Sequence, residues 1–252
     1  MQKKVLLLLL GLVAGLTNAF FTPYSYSEAD ILEDEMDLMS FMNELEMDEL
    51  AEENKEWPKV KFPFNFMLNF KVYTYDKEKH VLNPWKNTTI NQKVDSDGNR
   101  VLSLVKCSCK GKMNTIAMFV DYSTGKLVVK MPDTEYCKEK SVGRKLKIRN
   151  WIKKVLDPKG GITKYFGKKS LPWYETGDVH HFQVKIETKK GTKMTNLYYD
   201  TKRLDLSFVT LEGCPLIYQT NGFKEQKWRD KDFEGYTSCE DELDEELPET
   251  FF

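Results

Sequence analysis

The chain has 252 residues, 40% of them hydrophobic and 31% charged, and its 38 Lys and Arg nearly balance 39 Asp and Glu to leave a formal net charge of −1. That length suits one domain with a sizeable core plus tails. After the first twenty residues no segment reaches the roughly 20 apolar residues that a membrane-spanning helix needs, which argues against an integral helical membrane protein.

The near-neutral total conceals segregation. Between Glu28 and Glu56 there are 13 acids and one Lys, and from Glu240 to Phe252 seven acids and no base. The stretch between them, 57–239, carries 35 bases and 19 acids, a net +16. A basic body between acidic ends points either to association of tail with body or to an anionic partner such as lipid headgroups, an anionic membrane surface or a sulfated glycan.

The first element, "MQKKVLLLLLGLVAGLTNAF", combines a cationic start, an apolar run from Val5 to Leu16 and small residues near Ala19. This predicts a secretory signal peptide over 1–19, and hence a secreted protein or one of a secretory organelle, for which a nucleic-acid role is not expected. An acidic leader, 20–57, follows. Ser27 is a candidate N-cap, and Ile31, Leu32, Met36, Met39, Met42, Leu45 and Leu50 recur at three- to five-residue steps. The pattern predicts an amphipathic helix over about 28–53, ended by Pro58, which could serve as a lid, a propeptide or a tail.

Next, "KFPFNFMLNFKVYTY" places Phe62, Phe64, Phe66, Leu68, Phe70 and Val72 at every second position. Strict alternation predicts a β-strand over 62–75 with one apolar face, whether that face meets a core or lines a ligand cavity. Further strands are predicted over 88–94, 100–109, 113–121, 126–131, 179–188, 193–199, 204–211 and 215–220, separated by turn signals such as "DSDGN", "DYSTG" and "TKKGT". Hairpins are expected around Gly125 and Gly191. Only 144–156 has helical spacing, through Leu146, Ile148, Trp151, Ile152 and Val155. Apolar alternation recurs at Phe182, Val184 and Ile186 and at Leu204, Leu206 and Phe208. The pattern predicts a mainly β fold: curved antiparallel sheets forming a partly open barrel or two stacked sheets, with one or two helices and the acidic N-terminal helix. The β domain is expected over 58–236 and an acidic tail over 237–252.

Secretion makes structural disulfides the expected role for Cys107, Cys109, Cys137, Cys214 and Cys239, and no metal site is expected. If Asp121 and Lys126 are neighbours in the "DYSTGK" hairpin, facing residues sum to about 247, which sets Cys109 beside Cys137. Asn87-Thr88-Thr89 is an N-glycosylation sequon that should face solvent. The adjacent His180 and His181 fall on one strand with opposite orientations, so both cannot serve one site. No Gly-x-Ser-x-Gly motif, phosphate loop or metal-spaced carboxylate cluster occurs, so neither an enzyme nor a cofactor is expected.

The run "CKGKMNTIAMFVDYSTGKLVVKMPDTEYC", Cys109 to Cys137, resembles the ependymin family in its Cys-flanked strand pair around an Asp-Tyr-x-x-Gly turn. "HHFQVKIETKKGTKMTNLYYDTKRLDLSFV" is similar to that family's strand pair and the Tyr-Asp turn after it. The likeness implies antiparallel sheets around a deep hydrophobic pocket, related to the fold of bacterial lipoprotein carriers, with lipid-like ligands, no catalysis and a possible homodimer. It also implies Cys137–Cys214 as the alternative disulfide. On this basis Phe62, Phe64, Phe66, Leu68, Phe70, Val72, Phe182, Val184, Ile186, Leu204, Leu206 and Phe208 are the candidate pocket residues. The expected function is carriage of a hydrophobic small molecule or lipid; the alternative is an extracellular-matrix or secretory-granule structural protein that binds anionic partners.

Overall fold

The computed structural model describes residues 56–109, 112–142, 146–188 and 191–240. The expected signal peptide, the expected leader helix over about 28–53 and residues 241–252 of the acidic tail lie outside the described residues.

The fold is mainly β. Its strands are β1 Asn65–Asp76, β2 Val81–Asp95, β3 Arg100–Cys109, β4 Lys112–Asp121, β5 Lys126–Met131, β6 Tyr136–Ser141, β7 Thr163–Lys169, β8 Val179–Thr188, β9 Gly191–Asp200, β10 Leu206–Leu211, β11 Cys214–Thr220 and the short β12 Lys224–Glu225. One helix, α1 Ile148–Val155, lies between β6 and β7. Hydrogen bonding orders the strands β6-β5-β4-β3-β2-β1-β11-β10-β9-β8-β7, with β12 beside β1. This is one open antiparallel sheet with β6 and β7 at its edges. The chain divides into two compact units. One holds, of the described residues, 56–61, Tyr73–Asn83 and Lys154–Gln219; the other holds Phe62–Val72, Pro84–Lys153 and 220–240.

In the second of these units β1 shows the alternation that its sequence demands. Phe66, Leu68, Phe70 and Val72 are buried, while Asn69 and Lys71 are exposed. The strand begins three residues later than expected. Pro63 lacks the N–H that a ladder requires, so Phe62 and Phe64 precede the pairing. The β2–β3 turn is closed by Asp95, whose Oδ1 accepts from the Gly98 N–H at 2.9 Å. A Cβ on Gly98 would fall 2.5 Å from Asp95 Oδ2, which is why this position has no side chain. Asn99, at φ 56°, tolerates the left-handed conformation and bridges to the helix: its Oδ1 accepts from the Ile148 N–H and its Nδ2 donates to the Leu146 carbonyl, both at 2.9 Å. Helix α1 buries Ile148, Trp151, Ile152 and Val155, and Leu146, two residues before it, is buried as well.

The β4–β5 hairpin has the expected register, Asp121 opposite Lys126, with Asp121 Oδ1 accepting from the Ser123 and Thr124 N–H groups and Gly125 at φ 75°. In register, Leu102 faces Phe119 and Phe119 faces Val128, while Leu104 faces Ala117, so these side chains share one sheet face. The C-terminal segment straps across that face. Phe233 is fully buried against the cluster, and Trp228 and Tyr236 pack beside it. Three donors pin the strap to sheet or strap carbonyls: Trp228 Nε1 to Val94 at 2.8 Å, Lys93 Nζ to Asp232 at 2.9 Å and Lys130 Nζ to Gly235 at 2.7 Å. Arg100 pairs with Asp95 at 2.9 Å and Asp230 at 2.8 Å while its guanidinium covers the Phe233 ring.

The strap ends in a disulfide between Cys137 and Cys239, with a Cα separation of 5.6 Å. This corrects both expected partners of Cys137. The hairpin arithmetic was sound, but β4 starts at Lys112 and β5 stops at Met131. Each then reverses, so Cys109 lies on β3 opposite Lys112 and Cys137 lies on β6 opposite Lys130. Cys214, the other candidate, is buried 4.0 Å from the Tyr218 hydroxyl. A non-reducing peptide map should show Cys137 joined to Cys239. Cys239→Ala should lower stability by about 3–5 kcal/mol, the range for a cross-link closing a loop of this length, in denaturant titration.

A candidate hydrophobic cavity

The other unit contains β7–β11. Across its strands Thr163 opposes Val184, Tyr165 opposes Phe182, Phe182 opposes Leu197, and His180 opposes Tyr199. Residues directly opposite in an antiparallel pair project from the same face, so Thr163, Phe182, Leu197 and Tyr199 share one side of the sheet. These four side chains form one wall of a cavity of about 350 Å³. Trp57, Pro58, Lys59 and Val60 enclose it from the N-terminal side, and Val155, Leu156 and Pro158 from the end of α1 and the following turn.

Aromatic edges fix the wall. The Phe182 ring meets Trp57 at 5.4 Å and 75°, Tyr199 at 5.6 Å and 77°, and Tyr165 at 4.8 Å and 32°. The 57–60 segment is anchored just beyond its end, where the Lys61 N–H donates to the Leu204 carbonyl at 2.9 Å. Burial, and then the charge of Asp205, push the Tyr199 phenol far above its ordinary range, so it stays a neutral wall residue. Nine of the eleven bordering residues are apolar or aromatic; the exceptions are Lys59 and Thr163.

Of the twelve candidate pocket residues only Phe182 borders this cavity. Val184 and Ile186 are buried on the same face further along β8. Leu204 lies before β10 in a left-handed turn at φ 56°, half-buried. Leu206 and Phe208, expected on one face, are separated by a register shift: Leu206 opposes Tyr199 but Phe208 opposes Tyr198. The extra residue at the bulge rotates Phe208 to the opposite side, where it packs with Trp173, Val179, Tyr198 and Ile217. Phe66, Leu68, Phe70 and Val72 are buried in the other unit, where Phe62 and Phe66 close a ring cluster with Phe223 at 4.7 and 4.9 Å. Phe64 lies beneath the Arg149 guanidinium at 4.7 Å.

Sequence reading missed Leu197 and Tyr199, although "NLYYD" alternates, and it took Pro58 only as a helix terminator. Trp57, Val60, Leu156 and Pro158 carry no periodic signal, because they lie outside regular elements.

The two adjacent histidines do face opposite sides. His180 Nδ1 lies 2.7 Å from the Tyr165 hydroxyl. His181 is buried between the rings of Phe166 and Tyr198, and its Nε2 lies 2.9 Å from Asn196 Oδ1, which also accepts from Gln183 Nε2 at 3.2 Å. Asn196 Nδ2 donates to Thr210 Oγ1 at 3.3 Å, giving a polar ladder across three buried strands. Among the described residues no group of three or more His, Cys, Asp or Glu could hold a metal ion, and no helix is long and apolar enough to cross a membrane. A scan against protein-family models found no match, and a search of curated proteins found none either.

Burial, followed by the charge of Lys168, lowers the His180 pKa below its ordinary value, against the opposing effect of Asp200. The unfolded chain therefore takes up the proton first as pH falls. Stability should be fully present above about pH 6.5, the unperturbed value, and decline below it until His180 itself protonates in the fold. Thermal melts between pH 7.5 and 5 should show this decline, and His180→Gln should flatten it. An identical pH profile in the variant would remove His180 as its source.

Proposed function

We propose that the protein is a secreted binding or carrier protein for small hydrophobic ligands, and that the ligand occupies the cavity bordered by Trp57, Phe182, Leu197 and Tyr199. The observation that carries this reading is the cavity: about 350 Å³, within the range of ligand sites, with a predominantly apolar wall. Every methylene moved from water into such a site contributes about 0.8 kcal/mol, so an alkyl chain has a large driving force to enter. The likeness of Cys109–Cys137 and of the β8–β9 region to ependymins supports the same reading. So does the internal disulfide, which is compatible with an extracellular setting.

Titration calorimetry with 1-decanol tests the reading. The protein should bind close to one equivalent, and Leu197→Trp, which fills the cavity, should weaken binding at least tenfold while the far-ultraviolet circular dichroism is kept. Undiminished binding by a folded Leu197→Trp protein would exclude this cavity.

Secretion carries its own check. Asn87 is exposed, with φ 47°, in an irregular part of β2. Protein from eukaryotic secretory expression should lose one glycan's mass on treatment with an amidase specific for N-glycans, and Asn87→Gln should lack that shift.

A further inference from the structure

We infer that the mouth of the cavity is a docking surface for this chain's own acidic segment, residues 28–53, which lies across it as an amphipathic helix and is displaced when a ligand enters. Docking follows from apolar surface and charge. Only the competition with a ligand rests on the reading of the cavity as a ligand site.

The cavity stands half open to solvent although nine of its eleven bordering residues are apolar or aromatic. The chain offers a cover from the nearest position. Residues 57–60 are themselves one wall, and the Lys61 N–H fixes their end to the Leu204 carbonyl. Residues 54–56 alone separate Trp57 from the acidic segment, a reach of about 10 Å. As a helix the segment is about 39 Å long, so it starts beside the opening and has length to cross it.

Composition suits the same place. At 100° per residue the stripe from Ile31 to Leu50 falls within one half of the helix circumference. Met36, Met39 and Met42 give that half flexible side chains, which fit an irregular apolar surface better than branched ones do. The segment also carries 12 acids and no base. A helix so charged is marginal alone and gains its stability from a surface that buries the stripe.

The charge has its complement around the opening. Lys59 borders the cavity, and Lys154 and Lys159 flank in sequence the wall residues Val155, Leu156 and Pro158. All three lysines are exposed, and none forms an ion pair among the described residues. The acid in that stretch, Asp157, turns its Oδ1 to the Lys159 N–H at 2.9 Å. Attraction between exposed charges is screened beyond about 8 Å at physiological ionic strength, so charge steers the segment in and apolar contact holds it.

The test is zero-length carbodiimide cross-linking of the full chain, read by peptide mass spectrometry, beside calorimetric titration with 1-decanol. Lys154 and Lys159 are the decisive amines, since Lys59 is close to the segment through the chain alone. They should join to acids of 28–53 at least fivefold more often than do the exposed Lys138, Lys140 and Lys224. Met36→Asp with Met39→Asp, which breaks the stripe outside the β fold, should abolish that preference and tighten 1-decanol binding at least threefold. Cross-links spread evenly over the exposed lysines, a preference that survives the double substitution, or Lys154 and Lys159 joined instead to acids of 241–252 would each overturn the docking. Unchanged 1-decanol affinity in the double variant would overturn the competition. In all these cases 1-decanol binding by the full chain keeps the cavity reading intact. If the cross-links appear as expected but neither protein binds 1-decanol, docking stands and the ligand reading falls.

Discussion

A strand with apolar or polar-buried side chains on both faces must be covered twice, and that requirement governs this molecule. All six residues of β10 are buried, and so are five consecutive residues at the start of β3, from Val101 to Val105. A single sheet has no second layer of its own to offer such strands. The cover is therefore assembled from pieces that have little regular structure: the 57–60 segment, the short helix α1, the Leu171–Tyr174 turn and the C-terminal strap. Irregular pieces do not match a pleated surface as closely as a second sheet would, and the cavity beneath 57–60 is a space that this patchwork leaves.

Irregular cover also needs fixing by specific bonds, since it has no ladder of its own. In the strap, lysine ammonium groups and a tryptophan N–H reach backbone carbonyls, and a disulfide closes the end. Hydrogen bonds from charged donors are worth about 1.5–3 kcal/mol each, more than neutral ones, which suits a segment whose apolar anchors are few. The edge strands show the opposite economy. Both β6, "YCKEKS", and β7, "TKYFGKK", are lysine-rich, and charge of that kind discourages further strands from adding to an open sheet.

Those same lysines explain what the sequence left hidden. The interior strands were legible in two ways: β1 writes its one buried face as alternation, whereas β3, β4 and β5, buried at consecutive positions, read as short apolar runs bounded by turn signals. With β8 and β9 they fall within a few residues of expectation, as does α1. Edge strands have no such pressure, so β6 and β7 read as loops. The split between Leu206 and Phe208 was invisible because alternation assumes an unbroken register, and one inserted residue reverses every side chain beyond it. Cys137 found Cys239 through a strap whose path depends on Phe233, Trp228 and Arg100 together, a tertiary arrangement with no local signature. Little of the cavity was legible: Phe182 stood out, whereas Trp57 and Val60 become wall residues only when the chain before β1 folds back.

The strap carries a consequence for the order of events during synthesis. Cys137 and Cys239 are 102 residues apart, and the intervening chain contains β7 to β11 in their entirety. A ribosome therefore delivers β1 to β6 long before the segment that covers Leu102, Phe119 and Val128. Until Trp228 and Phe233 emerge, that face is bare, whereas β7 to β11 can already pair among themselves. Domains fold in the sequence in which their parts become available, and here the earlier-translated half must wait for the later one. Throughout that interval the Leu102, Phe119 and Val128 face lacks the two rings that cover it in the finished fold, and apolar surface left open in this way is where a nascent chain is prone to aggregate.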